Sequence, residues 1–304
     1  MSRIVVVHGV GHQLGTAETL QADIEPALRG GVALARRRDS DLADLADLAD
    51  VDDGDVVCAG YGDLYRQSGT RGEPYYRAED VEPGFETELL MQWWQEAARL
   101  DPAVTPPGAE GRGALGHLAT RPLGIDSVRR ALDALTRSRF FAAVSDRLLI
   151  SDLKQVRRYF TEPELRQAAR DRVAECITPR TRVLVAHSLG SVVAYETLCT
   201  LRPVQAVQPL TLVTLGSPLG LGGLVFDRLQ PAPEHGRGCW PAPVKTWHNL
   251  ADTGDVVALV RELAGRFGPD VQDGTVDNGA QMHSMTAYLT AAETGAAIAA
   301  GLTA

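Results

Sequence analysis

Arg182-Val-Leu-Val-Ala-His-Ser188-Leu-Gly-Ser191 joins an apolar, β-branched run to a tight turn and the start of a helix. A serine on such a junction sits in a strained backbone with its hydroxyl projecting above the sheet. Strand and helix nearly touch there, so small residues are needed two positions to either side. Gly190 meets that need, and Ala186 stands where a first glycine is usual. The helix that begins at the turn aims its N-terminal amides at Ser188, which favours negative charge on a nearby substrate oxygen. The plainer alternative is a serine that merely caps a helix after a strand.

Outward from this junction, four more runs read as buried strands: Arg3–His8, Asp55–Tyr61, Leu210–Leu215 and Val244–Asn249, with Arg182–Ala186 making five. Each is nearly continuous in apolar residues, as strands of a parallel sheet covered on both faces must be. Amphipathic stretches such as Thr16–Arg36 and Ser191–Leu201 lie between them. The alternation predicts a doubly wound α/β domain.

Two regions break the rhythm. Asp39–Asp50 carries the repeat DLADLADLAD, whose period of three fits neither helix nor strand and reads as a charged surface connection or helix extension. Residues 62–160 separate the second and third runs, with helical patterns at Phe85–Leu100, Ile125–Leu135, Phe140–Leu149 and Asp152–Phe160 around the Pro/Gly-rich Asp101–Gly116. A segment this long carries its own structure. The expectation is one α/β domain over 1–304 with 62–160 inserted as a helical cap or lid. Its tryptophans, Tyr75, Tyr76 and Phe85 either line an apolar acyl pocket or form the core of the cap.

The chain has 304 residues, 44% of them hydrophobic, and a formal charge of −9. That is enough apolar material for a sizeable core, and the wrong sign for a grip on nucleic acid or anionic lipid. No run approaches the ~20 apolar residues of a membrane span, and Met1–Val10 lacks the pattern of a secretory leader. Cys58, Cys176, Cys199 and Cys239 have no paired spacing, so the expectation is reduced, incidental thiols in a cytoplasmic protein, with no metal site.

Ile4–His12 (IVVVHGVGH) ends the first strand in His8-Gly9, where Gly9 and Gly11 let the backbone turn sharply. In that geometry the amides of Val10 and of Leu189, the residue after the nucleophile, are the candidate oxyanion donors. A phosphate loop is disfavoured because neither glycine-rich fingerprint is present. After the fifth run, Trp247–Ala258 offers Asp255 as the acid, with Asp252 as competitor or as a brace for the loop. His283 follows a polar loop at the entry of a helix. The order Ser188, Asp255, His283 is that of α/β-hydrolase triads and not of other serine-protease folds. In this scheme His283 takes the Ser188 proton, Asp255 fixes the imidazole tautomer, and no cofactor is required.

These residues also resemble a known family. VVVHGVGH (5–12), AHSLGSVVAYETL (186–198), TLVTLGSPLGL (211–221), WHNLADTGDVVA (247–258) and HSMTAYL (283–289) resemble the lipase/esterase branch of the α/β-hydrolases. More narrowly they are similar to bacterial hydrolases distantly related to the GPI-inositol-deacylase-like group. Asp152–Phe160 (DLKQVRRYF) looks like the helix such proteins carry before the nucleophile strand. The resemblance spans residues 3 to about 290. It implies Ser188, Asp255 and His283 as the triad, Val10 and Leu189 as oxyanion donors, and Gly9, Gly190 and Asp252 in support. Thr214–Pro218 matches a loop beside the site with no clear chemical role. Because the first strand comes so early, the implied sheet is reduced to about five or six mainly parallel strands.

The function expected is hydrolysis of a carboxylic ester or thioester, with a small or lipid-like acyl ester as substrate. An acyltransferase using the same triad, or a catalytically silent binding protein on the same fold, are the alternatives. No nucleic acid, stable membrane insertion or particular protein partner is implied.

Overall fold

A computed structural model describes residues 2–38, 51–52, 54–66, 75–108, 124–141, 144–201 and 208–303. The acidic repeat at 39–50 and the stretch from 109 to 116 lie outside them. The chain divides into two compact units, Met1–Arg66 with Glu162–Ala304, and Gln67–Thr161.

The first unit is an α/β fold around one six-stranded, all-parallel sheet: β1 (Ile4–Val7), β2 (Val56–Ala59), β3 (Val183–His187), β4 (Leu210–Leu215), β5 (Val244–Asp252) and β6 (Val271–Val276), in the order β2-β1-β3-β4-β5-β6. Every residue of β1, β3 and β4 is buried, which is why these strands read as unbroken apolar runs. β6 escaped the pattern. Only Val271 and Val276 at its ends are buried, and Gln272, Asp273, Gly274 and Thr275 between them give no apolar run. It is an edge strand anchored by polar contacts: Asp273 accepts from the amides of Leu263 (2.8 Å) and Ala264 (2.9 Å) and from Asn249 Nδ2 (2.7 Å).

The chain leaves β1 towards β2 on one side and resumes at β3 on the other, so the winding reverses between β1 and β3. Ile4–Val7 pairs in register with Val183–Ala186 there. At such a reversal the loops beyond the carboxyl ends diverge and leave a crevice.

Helices α1 (Ala17–Arg38), α5 (Pro163–Cys176), α6 (Leu189–Thr200), α7 (Ala264–Phe267), α8 (Met285–Thr290) and α9 (Ala292–Thr303) belong to this unit. α6 is buried on every face from Leu189 to Leu198, as a central helix must be when it is apolar all round. Its Glu196 carboxylate, fully buried, is bound by Arg166 of α5 and by the Gln230 amide (3.0 Å), so the charge is paired. α1 packs on α8 and α9 with backbones in contact at Gly31 and Gly295. A Cβ on Gly31 would lie 2.1 Å from the Leu289 carbonyl oxygen, and one on Gly295 2.1 Å from that of Gly31.

The second unit contains α2 (Phe85–Leu100), α3 (Ile125–Thr136) and α4 (Asp146–Thr161). α3 buries Val128, Ala131, Leu132 and Leu135, one stripe at helical spacing. Where the sequence suggests two helices, at Phe140–Leu149 and Asp152–Phe160, one continuous helix starts at Asp146. The Ser145 carbonyl accepts from the Leu148 and Leu149 amides (3.0 Å each), so that serine marks the helix start and Phe140 and Phe141 fall in the preceding turn. Trp93, Trp94 and Phe85 are buried within this unit, and Trp94 Nε1 donates to the Thr105 carbonyl (2.7 Å). The core reading of the tryptophans and Phe85 therefore holds. Tyr75 and Tyr76 instead line a surface cleft of about 840 Å³ with Arg77, Arg129 and Arg147. Glu86, fully buried, is neutralised by Arg157 Nε (2.6 Å) and Lys154 Nζ (3.3 Å) of α4.

Neighbouring glycines of α1 are expected to respond oppositely to alanine. A Cβ at Gly30 meets nothing within 4 Å, so Gly30→Ala should raise stability by about 1 kcal/mol through helix propensity alone. Gly31→Ala carries the same propensity gain but forces α1 off the Leu289 carbonyl, and should destabilise by on the order of 2–3 kcal/mol. Urea unfolding midpoints of the two variants decide it; equal shifts would contradict the close packing of α1 on α8.

Candidate active site

The turn between β3 and α6 places Ser188 at φ 52° and ψ −131°. That region is sparsely populated for a residue with a side chain and costs on the order of 1–3 kcal/mol. It is over-determined by its neighbours. The Ser188 amide donates to the Leu215 carbonyl (3.0 Å), and the Ser188 carbonyl accepts from the Ser191 amide (2.9 Å) and Ser191 Oγ (2.6 Å). Ser217 Oγ lies 2.6 Å from Ser191 Oγ and accepts from the Leu219 amide (3.2 Å), which ties the turn to the loop after β4.

Close approach explains the small residues. A Cβ on Gly190 would lie 2.3 Å from the His8 carbonyl oxygen, and one on Gly9 would lie 2.7 Å from Ser188 Cβ. The end of β1, the Ser188 turn and the first turn of α6 are therefore in backbone contact at the winding reversal.

Three side chains from three loops meet above this turn. Ser188 Oγ is 3.0 Å from His283 Nε2, and His283 Nδ1 is 2.7 Å from Asp255 Oδ2. A carboxylate only accepts, so Nδ1 carries the proton and Nε2 is left to accept from the serine hydroxyl. Asp255 is fully buried and saturated with donors: His283 and the Tyr288 hydroxyl (2.8 Å) on Oδ2, the Val257 (2.9 Å) and Ala258 (3.3 Å) amides on Oδ1. The Tyr288 hydroxyl in turn accepts from the Asp252 amide (2.8 Å). Burial, and then Asp255 beside it, push the Tyr288 phenol far up, so it stays a donor at any ordinary pH. Gly216 at φ 53° lies under this cluster; a Cβ there would sit 2.7 Å from Asp255 Oδ2 and 3.2 Å from His283 Nδ1.

His8 organises the loop after β1. It is fully buried, and burial, followed by the neighbouring His12, holds its pKa down at about 3, so the ring is neutral. Nδ1 is 2.7 Å from the Gly9 carbonyl and Nε2 is 3.2 Å from the Tyr61 amide, which assigns the proton to Nδ1. Tyr61 stacks on the ring (centroids 4.3 Å apart) and donates its hydroxyl to the His8 carbonyl (2.7 Å). The Gly9 carbonyl and the Val10 N–H belong to one planar peptide and point in opposite directions. Pinning the carbonyl therefore sets the direction of the Val10 amide. Among the described residues, neither the Val10 nor the Leu189 amide donates to a protein acceptor. His187 is buried too, its ring 4.7 Å from that of His283, and burial and then His283 hold it well below the usual histidine range. The neighbour of His283 is thus uncharged.

Of the residues singled out from sequence, Ser188, His283 and Asp255 form one continuous hydrogen-bonded chain, and Gly9 and Gly190 lie where the backbones touch. Asp252 does not reach the imidazole. Its Oδ1 accepts from the Gly254 amide (2.7 Å) and its Oδ2 from the Asn278 amide (2.6 Å), which is the bracing alternative. Tyr288 was missed as part of the site, and Gly216 and Ser217, in the loop expected beside it, were given no role. The sequence signal for them was present in HSMTAYL and TLGSP, but a tyrosine or glycine in a loop motif announces no partner. Among the described residues, no three His, Cys, Asp or Glu side chains converge into a metal-binding group. No helix among them is long and apolar enough to cross a membrane. No family model, curated protein or solved structure matches the chain.

The neutral buried histidines set an acid limit on stability. A histidine with pKa near 6.5 when unfolded and about 3 when folded contributes stability that is complete above pH 6.5 and lost as pH falls towards 3. At pH 5 His8 alone should cost about 2 kcal/mol, from a slope approaching 1.4 kcal/mol per pH unit. Urea unfolding at pH 7.5 and 5 should show a smaller acid loss in His8→Gln than in the wild type; an unchanged loss would mean that His8 titrates normally.

Proposed function

We propose that the protein is a serine hydrolase that cleaves a carboxylic ester or thioester, and that it belongs with the lipase/esterase branch of the α/β-hydrolases. The observation that carries the reading is the unbroken chain Ser188 Oγ, His283, Asp255, set on a serine held at positive φ. A strained serine joined to a buried, donor-saturated carboxylate through a single imidazole has no need of that geometry as a helix cap. The six-stranded parallel sheet and the winding reversal beside the serine are compatible with the family.

In this mechanism Ser188 Oγ attacks the acyl carbon while His283 Nε2 takes its proton. Asp255 keeps the imidazole in the tautomer that can accept and steadies the cation that forms. The electron pair displaced onto the carbonyl oxygen is met by the Val10 and Leu189 amides, with the N-terminus of α6 adding its dipole. Collapse of the tetrahedral intermediate expels the alcohol or thiol, which takes the proton from His283. Water, deprotonated by the same imidazole, then releases the acid and restores Ser188. A neutral His187 beside His283 adds no repulsion when the imidazolium forms.

A fluorophosphonate probe tests this. It should add once, at Ser188, and Ser188→Ala should abolish the adduct. His283→Ala and Asp255→Asn should slow hydrolysis of a short-chain p-nitrophenyl ester by about 10³–10⁴-fold. Asp252→Asn should instead leave the rate within about tenfold and lower the unfolding midpoint, as expected of a loop brace. A folded wild type that neither labels nor hydrolyses would refute the assignment. Loss of activity in Asp252→Asn equal to that in Asp255→Asn would move the acid to position 252.

A further inference from the structure

Two of the four cysteines, forty positions apart in the chain, are brought together by the fold. Cys199 Sγ lies 3.0 Å from Cys239 Sγ, and both thiols are free. A disulfide needs about 2.05 Å between the sulfurs, so closure asks for roughly 1 Å of movement. We propose that Cys199 and Cys239 form a reversible intramolecular disulfide when the protein meets a low-molecular-weight disulfide, and that the fold presents them for it.

The approach is held from both sides. Cys199 sits on α6 one turn beyond Tyr195, so the two side chains share a helix face. The Tyr195 hydroxyl donates to the Cys239 carbonyl (2.9 Å) and lies 3.3 Å from its sulfur. The flanking residues of Cys239 are fastened too: the Gly238 amide donates to the Arg266 carbonyl (2.9 Å) and Trp240 Nε1 to that of Val244 (2.7 Å). The segment is thus carried to α6 by its own hydrogen bonds, with the sulfurs in contact as a consequence.

Exposure sets the order of events. Cys239 is exposed and Cys199 half-buried, so the Cys239 thiolate attacks the small disulfide, forms a mixed disulfide and releases one small thiol. Cys199 then gives up its proton to solvent and attacks the Cys239 sulfur, expelling the second small thiol. In sum, two cysteine thiols and one small disulfide yield one protein disulfide and two small thiols. Burial raises the thiol of Cys58, to about 12, and those of Cys176 and Cys199 as well, so acidity does not single out Cys199; the contact of its sulfur with that of Cys239 does. The bond would tie the far end of the helix that starts at Ser188 to the segment leading into β5.

The test uses the full chain with oxidised glutathione. The expected product is about 2 Da lighter than the reduced chain, retains two thiols, yields a Cys199–Cys239 linked peptide and reverts with dithiothreitol. Cys199→Ser should stop at one glutathione on Cys239. The linked form should melt higher by on the order of 5–10 °C, since the cross-link closes a loop of about forty residues without displacing either side. Four surviving thiols, a wild type that stops at the mixed disulfide, or a link to Cys58 or Cys176 would each overturn the proposal. So would a linked form with an unchanged or lower melting temperature, because the bond would then form only by distorting the fold.

Discussion

Backbone contact at the carboxyl ends of β1 and β3 governs this molecule. The His8 carbonyl stands where a side chain on Gly190 would have to go, and Ser188 Cβ stands where one on Gly9 would go. Because the two strands are neighbours in a parallel sheet, their following loops begin only one strand spacing apart. One loop must rise into α6 and the other must turn away towards α1, and both do so within a few residues. The positive φ of Ser188 is a consequence of that crowding, as is the outward aim of its hydroxyl. Among the described residues the Val10 and Leu189 amides have no protein acceptor: Val10 lies beyond the end of the β1 ladder, and Leu189 opens α6, where the first amides have no intrahelical partner.

Strain at one residue survives only where many contacts hold it. Here the contacts run through a polar lattice that extends from Ser188 and Ser191 to Ser217 after β4, and from Asp252 at the end of β5 and Asp255 beyond it to Tyr288 on α8. Each member is buried with partners present, so little desolvation is left uncompensated. Tyr288 is the hinge of the lattice. One hydroxyl group donates to Asp255 and accepts from the Asp252 amide, locking the two candidate acids into different tasks. The aspartate that meets the imidazole is the fully buried one with four donors on it. The other is spent on holding the loop in which the first one sits.

Neutral histidines extend the same economy of charge. His8 and His187 flank the site at the ends of β1 and β3, and burial keeps both uncharged, so neither places a positive charge beside His283. His8 fixes a peptide plane and His187 fills space beside the His283 ring. In the helical unit the reverse solution appears: Glu86 is buried charged and is met by two cations from α4. Both devices satisfy a buried titratable group, one by removing the charge and one by pairing it.

The sequence by itself determined the strands that are buried on both faces, because a parallel strand between two helical layers must be apolar at every position. It determined the junction at Ser188, where residue size and strand-to-helix change coincide. It was silent on β6, whose stability comes from Asp273 and Asn249 rather than from apolar periodicity. It merged poorly across α4, where Ser145 and not the phenylalanines marks the helix start. Only the tertiary structure shows which of Asp255 and Asp252 meets the imidazole, since two carboxylates three positions apart differ in which loop direction they face and in nothing that local pattern records. Only the tertiary structure brought Tyr288 and Gly216 to the carboxylate and Cys199 to Cys239. Those contacts join residues that chain spacing leaves independent, and it is the packing of α6, α8 and the loops after β4 and β5 on one sheet that makes them neighbours.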